Sequence, residues 1–242
     1  MKLGSYRVKR ELITNQFGNT SNMNQTNKMK RSNILKMIFT AALAVFSISS
    51  CSAEPNPKLS KMPEKEITTP QEGQEEISLG AGCFWCVEAV YKQLDGVLGV
   101  TSGYQGGHVD DPTYEQICTG ATGHAEVVHL VYDPKKITTQ EILEWFWKLH
   151  DPTQLNRQGN DIGTQYRSVI FYYTDEQKAI AEASMKEAQG SFSKPIVTVI
   201  EKAPKFYQAE VSHQDYYSLN KNKNPYCRAV ITPKLEKLGL EK

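Results

Sequence analysis

The stretch LGAGCFWCVEAVY, Leu79 to Tyr91, sets two cysteines around a Phe-Trp pair directly after a Gly-Ala-Gly run. The residues leading into it, EISLGAG, read as a short strand. Those following repeat apolar side chains at helical spacing: Phe84, Val87, Val90, Tyr91 and Leu94. A strand, a small-residue turn and a helix beginning near Cys83 put that thiol at the first helical turn, where unpaired amides and the dipole favour a thiolate. Four readings compete: a disulfide staple, half of a zinc site, a thioredoxin-like redox pair, or a nucleophile beside an aromatic pocket. Neighbouring helical residues project about 100° apart. Phe84 and Trp85 therefore cannot both enter the core, and one of them faces out or lines a cleft.

The rest of the chain narrows the choice. Five cysteines (Cys51, Cys83, Cys86, Cys118 and Cys227) in 242 residues are not the dense framework of a small disulfide scaffold, and an odd count leaves at least one free, reactive or modified. A zinc site needs four ligands, usually as two close pairs. Cys118 and Cys227 are isolated, and none of His108, His124, His129, His150 and His213 pairs with the cysteines at ligand spacing, so no metal is expected. Cys-Phe-Trp-Cys has the form of a thioredoxin-like pair, but the βαβ framework of that fold does not follow it. Hydrophobic residues make up 39% of the chain and charged residues 23%, enough to bury a core. A net charge of +1 offers no basic field, so nucleic-acid binding is set aside.

Residues 1–51 read as an N-terminal extension and a lipoprotein-type signal peptide. An apolar run, ILKMIFTAALAVFSISSC, follows the basic KMKR; it is short for a spanning helix but suits a signal. Its end, Ile48-Ser49-Ser50-Cys51, resembles a lipidation site at Cys51, and Met29 opens a better-proportioned signal than Met1. Residues 52–75, rich in Pro, Glu and Lys, read as a flexible linker that cannot bury enough apolar surface to offset its ordering entropy. The expectation is a lipoprotein of the cell envelope, anchored to the membrane on the periplasmic or surface side.

Residues 76–242 read as one folded domain. Strand-like GVLGVTSGYQGG, a short helix at DPTYEQICTG and a strand at HAEVVHLVYDP follow the opening motif. Next comes a helix capped by Thr138 with Glu141 three residues on. A fifteen-residue polar loop, TQLNRQGNDIGTQYR, is long enough to be functional or disordered. A strand at SVIFYYT, a helix from Asp175 stopping at Gly190, a strand at PIVTVIEKA and a helix over YQAEVSHQDYYSLNKN complete the order. Mixed elements with short connections predict an α+β fold: a two-layer sandwich with a mixed β-sheet packed by helices, in a single domain.

The segments GAGCFWCVE, GVTSGYQGG, PTYEQICTGATGHAEVVHLVYDP, NRQGNDIGTQYRSVIFY and AEVSHQDYY together resemble the peptide methionine sulfoxide reductase A family, in its order and spacing, from about Ile77 to Lys237. The resemblance implies reduction of methionine S-sulfoxide, free or in oxidised proteins and peptides, by a monomer without organic cofactor, regenerated by a thioredoxin-like reductant. It makes Cys83 the nucleophile, oxidised to a sulfenic acid, with Phe84 and Trp85 forming the pocket for the methionine ε-methyl group. Glu126 matches the catalytic carboxylate; on its own it would be an ordinary strand glutamate. Tyr114 and Tyr166 match two tyrosines that hydrogen-bond the sulfoxide oxygen, and Asp161 a loop residue that orders the pocket. His213 matches the family's HQ-Y segment, Glu88 reads as a structural partner on the helix, and Cys118 as a small buried thiol. For the resolving cysteine both Cys86, three after the nucleophile, and Cys227, in NKNPYC, resemble family positions.

Overall fold

A computed structural model describes residues 66–240. Cys51, Met29 and the signal-like run lie outside the described residues. The sheet begins with β1 (Glu75–Ala81), which leads into α1 (Phe84–Tyr91) and then β2 (Val97–Gln105). A short helix α2 (Tyr114–Cys118) precedes β3 (Ala125–Tyr132) and the amphipathic α3 (Thr139–Leu149). A small hairpin of β4 (Arg157–Gln158) and β5 (Asp161–Ile162) occupies the polar loop. Then come β6 (Ser168–Tyr172), α4 (Asp175–Ala188), β7 (Val199–Lys202) and β8 (Tyr207–Gln208). The chain closes with α5 (Tyr216–Asn220), a π-helical turn over Cys227–Ile231, and α6 (Thr232–Leu238).

Six strands form one mixed sheet in the order β7-β6-β1-β3-β2-β8. Only β6 and β7 run parallel; every other neighbouring pair is antiparallel. Every residue of β3, the strand between β1 and β2, is buried, because both faces of the sheet are covered. Strand side chains alternate between faces. Val128, Leu130 and Tyr132 therefore join β1 residues Ile77 and Leu79 in the main core beneath α1 and α3. Ala125 and Val127 fall on the opposite face, with Val169 and Phe171, under Ala203 and Phe206. By the same alternation Glu126 lies on the helix-covered face, directly across from Tyr104 of β2.

The helices start where their caps dictate. Thr138 accepts the Glu141 amide and the Glu141 side chain returns to the Thr138 amide, a full capping box, and Thr174 with Gln177 repeats it at α4. The Gln177 amide then reaches the Glu76 carbonyl at 2.8 Å and the Tyr132 hydroxyl at 3.2 Å, fastening α4 to the sheet. Tyr91 donates to the Ile142 carbonyl at 2.9 Å and locks α1 to α3.

Two segments differ from expectation. The helix expected over residues 207–222 is instead the edge strand β8, a 3-10 turn at Val211–His213, and the five-residue α5. Pairing with β2 extends the chain at Tyr207–Gln208, and a left-handed backbone at Asp215 (φ 55°) interrupts helical propagation. The C-terminal α6, with Pro233 in its first turn and Gly239 as a left-handed cap, had no counterpart in the sequence-based element order.

Leu130 is fully buried between the sheet and the helical layer. Leu130→Ala is expected to cost about 2–5 kcal/mol of folding stability, read as a lower urea midpoint at unchanged slope.

Candidate active site

The β1–α1 junction builds the site. Gly82 turns the chain at φ +87°, and a Cβ there would lie 2.6 Å from Cβ of Gln158, so glycine is required both for the backbone and for the approach of the β4–β5 hairpin. Cys83 follows as the residue preceding α1, buried and without a side-chain cap. Phe84 opens the helix with its ring buried, while Trp85 is half-buried and turned toward the cleft. The two aromatics divide as their 100° separation on a helix demands.

Glu126 comes up from β3 beneath this junction. Its carboxyl accepts the Phe84 amide at 3.1 Å, one residue from the nucleophile candidate. It is 1% exposed. Burial pushes its pKa up to about 8, with Asp161 and Cys86 adding to the rise and the Phe84 amide opposing it. At neutral pH the group is a carboxylic acid.

The two thiols of the motif act on each other. Burial pushes Cys83 well above the ordinary thiol range. A hydrogen bond from Cys83 brings Cys86 down to about 7 against its own burial, helped by Lys234 and by Tyr226. The two thiols titrate as a coupled pair, and burial raises both. The Tyr226 hydroxyl lies 3.9 Å from the Cys86 sulfur and donates to Asp161 at 3.2 Å. Cys227, next in sequence, is fully buried in the π-helical turn, and the charge of Cys86 helps push its thiol up, after burial. Cys83, Cys86 and Cys227 are all buried.

Aromatic side chains cluster around Trp85. Tyr216 stacks on Trp85 with ring centroids 3.6 Å apart and planes 5° from parallel. The Trp85 indole N–H donates to Nδ1 of His213 at 3.2 Å. That bond needs Nδ1 unprotonated, and burial holds His213 below its usual range. Tyr114 packs on His213, centroids 4.3 Å apart, and faces Phe84 in a near-parallel arrangement at 6.5 Å. Glu210 fixes this cluster, accepting the Tyr114 amide and the Tyr104 hydroxyl, both at 2.8 Å. Tyr114 and Tyr166 are both raised above the ordinary phenol range, first by burial and then by Glu126, so both remain hydroxyl donors.

Cys83, Phe84, Trp85, Cys86, Tyr114, Glu126, Asp161, Tyr166 and Cys227 therefore converge on one end of the sheet, and His213 joins them. Cys118 departs from expectation: it is exposed, because α2 buries only Ile117, and its thiol meets Tyr114 at the rim. Tyr226, Tyr216 and Glu210 were missed in the sequence. The aromatic next to Cys227 was the available signal for Tyr226; nothing local marked the other two. Among the described residues, no group of three or more His, Cys, Asp or Glu side chains is placed to hold a metal ion.

A family model described as peptide methionine sulfoxide reductase matches residues 75–242. The MsrA peptide methionine sulfoxide reductase of Saccharolobus solfataricus is 54% identical over 163 residues, 67% of this chain and 92% of its own length. That of Leptospira borgpetersenii is 52% identical over the same share of each. Among solved structures, reduced Mxr1 from Saccharomyces cerevisiae aligns with TM-score 0.63 and 35% identity, covering 66% of this chain and 93% of that one. Methionine sulfoxide reductase A of Corynebacterium diphtheriae aligns with TM-score 0.57 and 37% identity, covering 62% and 76%. With a buried thiol, a buried carboxylic acid and an aromatic cleft meeting inside the matched span, the chain belongs to the peptide methionine sulfoxide reductase A family and is an oxidoreductase that returns methionine sulfoxide to methionine.

Proposed function

We propose that Cys83 attacks the sulfur of a methionine S-sulfoxide, free or protein-bound, while Glu126 protonates the sulfoxide oxygen. The observation that carries this reading is the neutral Glu126 carboxyl, raised to about 8 and held on the Phe84 amide beside the thiol. A sulfoxide oxygen leaves only as it gains a proton, and an acid with a pKa near the working pH supplies one. Cys86 takes the Cys83 proton as the new sulfur–sulfur contact forms. The protonated oxygen then passes as hydroxyl from the methionine sulfur to Cys83 while the sulfur–sulfur bond breaks, so methionine leaves reduced and Cys83 is oxidised to a sulfenic acid. Tyr114 and Tyr166 donate to the sulfoxide oxygen, and Phe84 and Trp85 receive the ε-methyl, a contact that sulfur and methyl groups favour. Asp161, bonded to Tyr226, keeps the loop wall in place. With methyl, oxygen and peptide assigned to three different walls, only one sulfoxide epimer presents its sulfur to Cys83.

Resolution runs through Cys86. Its thiol displaces the Cys83 hydroxyl as water and forms the first disulfide. Cys227 then exchanges onto Cys86, freeing Cys83. A thioredoxin-like dithiol reduces the Cys86–Cys227 bond, so no organic cofactor is needed. The position of Cys86 three residues after Cys83, at the start of the same helix, supports this order over direct attack by Cys227. The enzyme acts as a monomer.

The tests follow the protons and the sulfurs. Turnover of a peptide S-sulfoxide is expected to rise through about pH 7 with Cys86 and to fall above about pH 8 as Glu126 ionises. The R-sulfoxide should be inert, and Cys83→Ser should abolish turnover. Glu126→Gln should lose the alkaline limb and slow by roughly 10²–10⁴-fold. Mass mapping after a single turnover without reductant should find Cys86–Cys227; a Cys83–Cys227 bond as the sole product would refute the order. Because folding raises the Glu126 pKa, its contribution to stability is complete at acid pH and is lost as pH rises toward about 8. Glu126→Gln should therefore flatten the urea stability profile between about pH 4.5 and 8.

We further propose that the signal-like run ending at Cys51 delivers the chain to the cell envelope, with Cys51 lipidated after cleavage. Residues 52–75 then tether a catalytic domain of residues 76–242 to the membrane, on the periplasmic or surface side. The basic stretch, the short apolar run and the Ile-Ser-Ser-Cys ending support this. Labelled palmitate should enter the wild type but not Cys51→Ala, and the variant should move to the soluble fraction.

A further inference from the structure

Glu88 lies three residues after Trp85 on α1, so the two side chains share a face of that helix. Its carboxylate is 1% exposed. One oxygen accepts the Asp215 amide at 2.7 Å, and the other accepts the Tyr216 amide at 3.1 Å. Asp215 adopts a left-handed backbone (φ 55°, ψ 27°) immediately before helical Tyr216. Consecutive residues of opposite hand turn their amides to the same side, forming a concavity suited to an anion. Here the anion is internal: the carboxylate of Glu88. Lys92, one turn further along α1, lies 3.5 Å from Glu88 and pairs with the Asp215 carboxylate, so the buried charge is compensated.

The backbone held in this way carries Tyr216, whose ring lies flat on Trp85. The Tyr216 hydroxyl accepts a bond from the Asn224 side chain at 2.6 Å, which fixes the far end of the ring. A non-glycine residue in the left-handed region is strained, so an extended or helical Asp215 is the natural fallback once its partner is removed. In either, the Tyr216 side chain leaves its register with Trp85. We infer that Glu88 is a positioning residue for the substrate pocket: by gripping the Asp215 and Tyr216 amides it sets Tyr216 against the back of Trp85, and so sets the width of the methyl pocket. The inference rests on the reading of Trp85 as a wall of that pocket.

The test compares methionine sulfoxide with ethionine sulfoxide, which carries one more methylene where the ε-methyl sits, in Glu88→Ala, Glu88→Gln, Tyr216→Ala and the double variants. Wild type should prefer the methyl substrate. Glu88→Ala should raise KM for methionine sulfoxide by roughly tenfold, change kcat less than about twofold, and relax methyl-over-ethyl preference several-fold. Glu88→Gln retains one acceptor oxygen and should fall between. In a Tyr216→Ala background neither Glu88 change should have a further effect on the preference, since both act through one ring. Multiplicative effects of the two sites, or a lower melting temperature with KM and preference unchanged at 25 °C, would overturn the inference. If Glu88→Ala does not fold, the cycle is run with Glu88→Gln. Trp85→Ala separates the two levels: unchanged preference there removes the pocket reading itself, whereas a changed preference there with none in the Glu88 variants removes only the positioning role.

Discussion

The hydrogen bond from the Phe84 amide to the Glu126 carboxyl is the constraint on which the site depends. It ties the first turn of α1 to the central strand and places an acid next to the Cys83 backbone. A buried carboxyl with a single amide donor is better off neutral than charged. Protonation is thus a consequence of packing. The same contact holds the helix start against the sheet, so the Cys83 thiol and the Glu126 carboxyl are positioned by one geometry.

Around that pair the protein has assembled two systems with different physics. The sulfurs are buried at α1 and its C-terminal neighbour, where Cys83 and Cys86 titrate as a pair. The aromatic rings form a cleft whose members come from four separate segments: α1, α2, the turn at His213 with α5, and the tail at Tyr226. Tyr226 belongs to both systems. Its ring edge meets Trp85 and its hydroxyl stands between Asp161 and Cys86, so a change at the thiols is felt at the pocket wall.

Much of the local structure could be read from residues alone. The strand, turn and helix around Cys83, the Thr138 cap and the divergence of Phe84 from Trp85 all follow from short-range rules. The reading failed where long-range pairing decided the outcome. Residues 207–222 carry helical spacing but were drawn into an edge strand by β2 and broken by the left-handed Asp215. The polar loop gave no sign of the β4–β5 hairpin that packs on Gly82. Cys118 looked like core by residue type, yet a five-residue helix has too little face to bury it.

The sequence by itself determined which chemistry was present: a thiol beside small residues, adjacent aromatics, and a family motif in register along the whole domain. Motifs are carried by residue type and spacing, which survive without coordinates. Tertiary structure alone decided which face of β3 Glu126 occupies, which ring backs Trp85 and how deeply the thiols are buried. Those properties arise from desolvation and from contacts between residues far apart in sequence, such as Cys86 with Tyr226, 140 positions away. No local pattern encodes them.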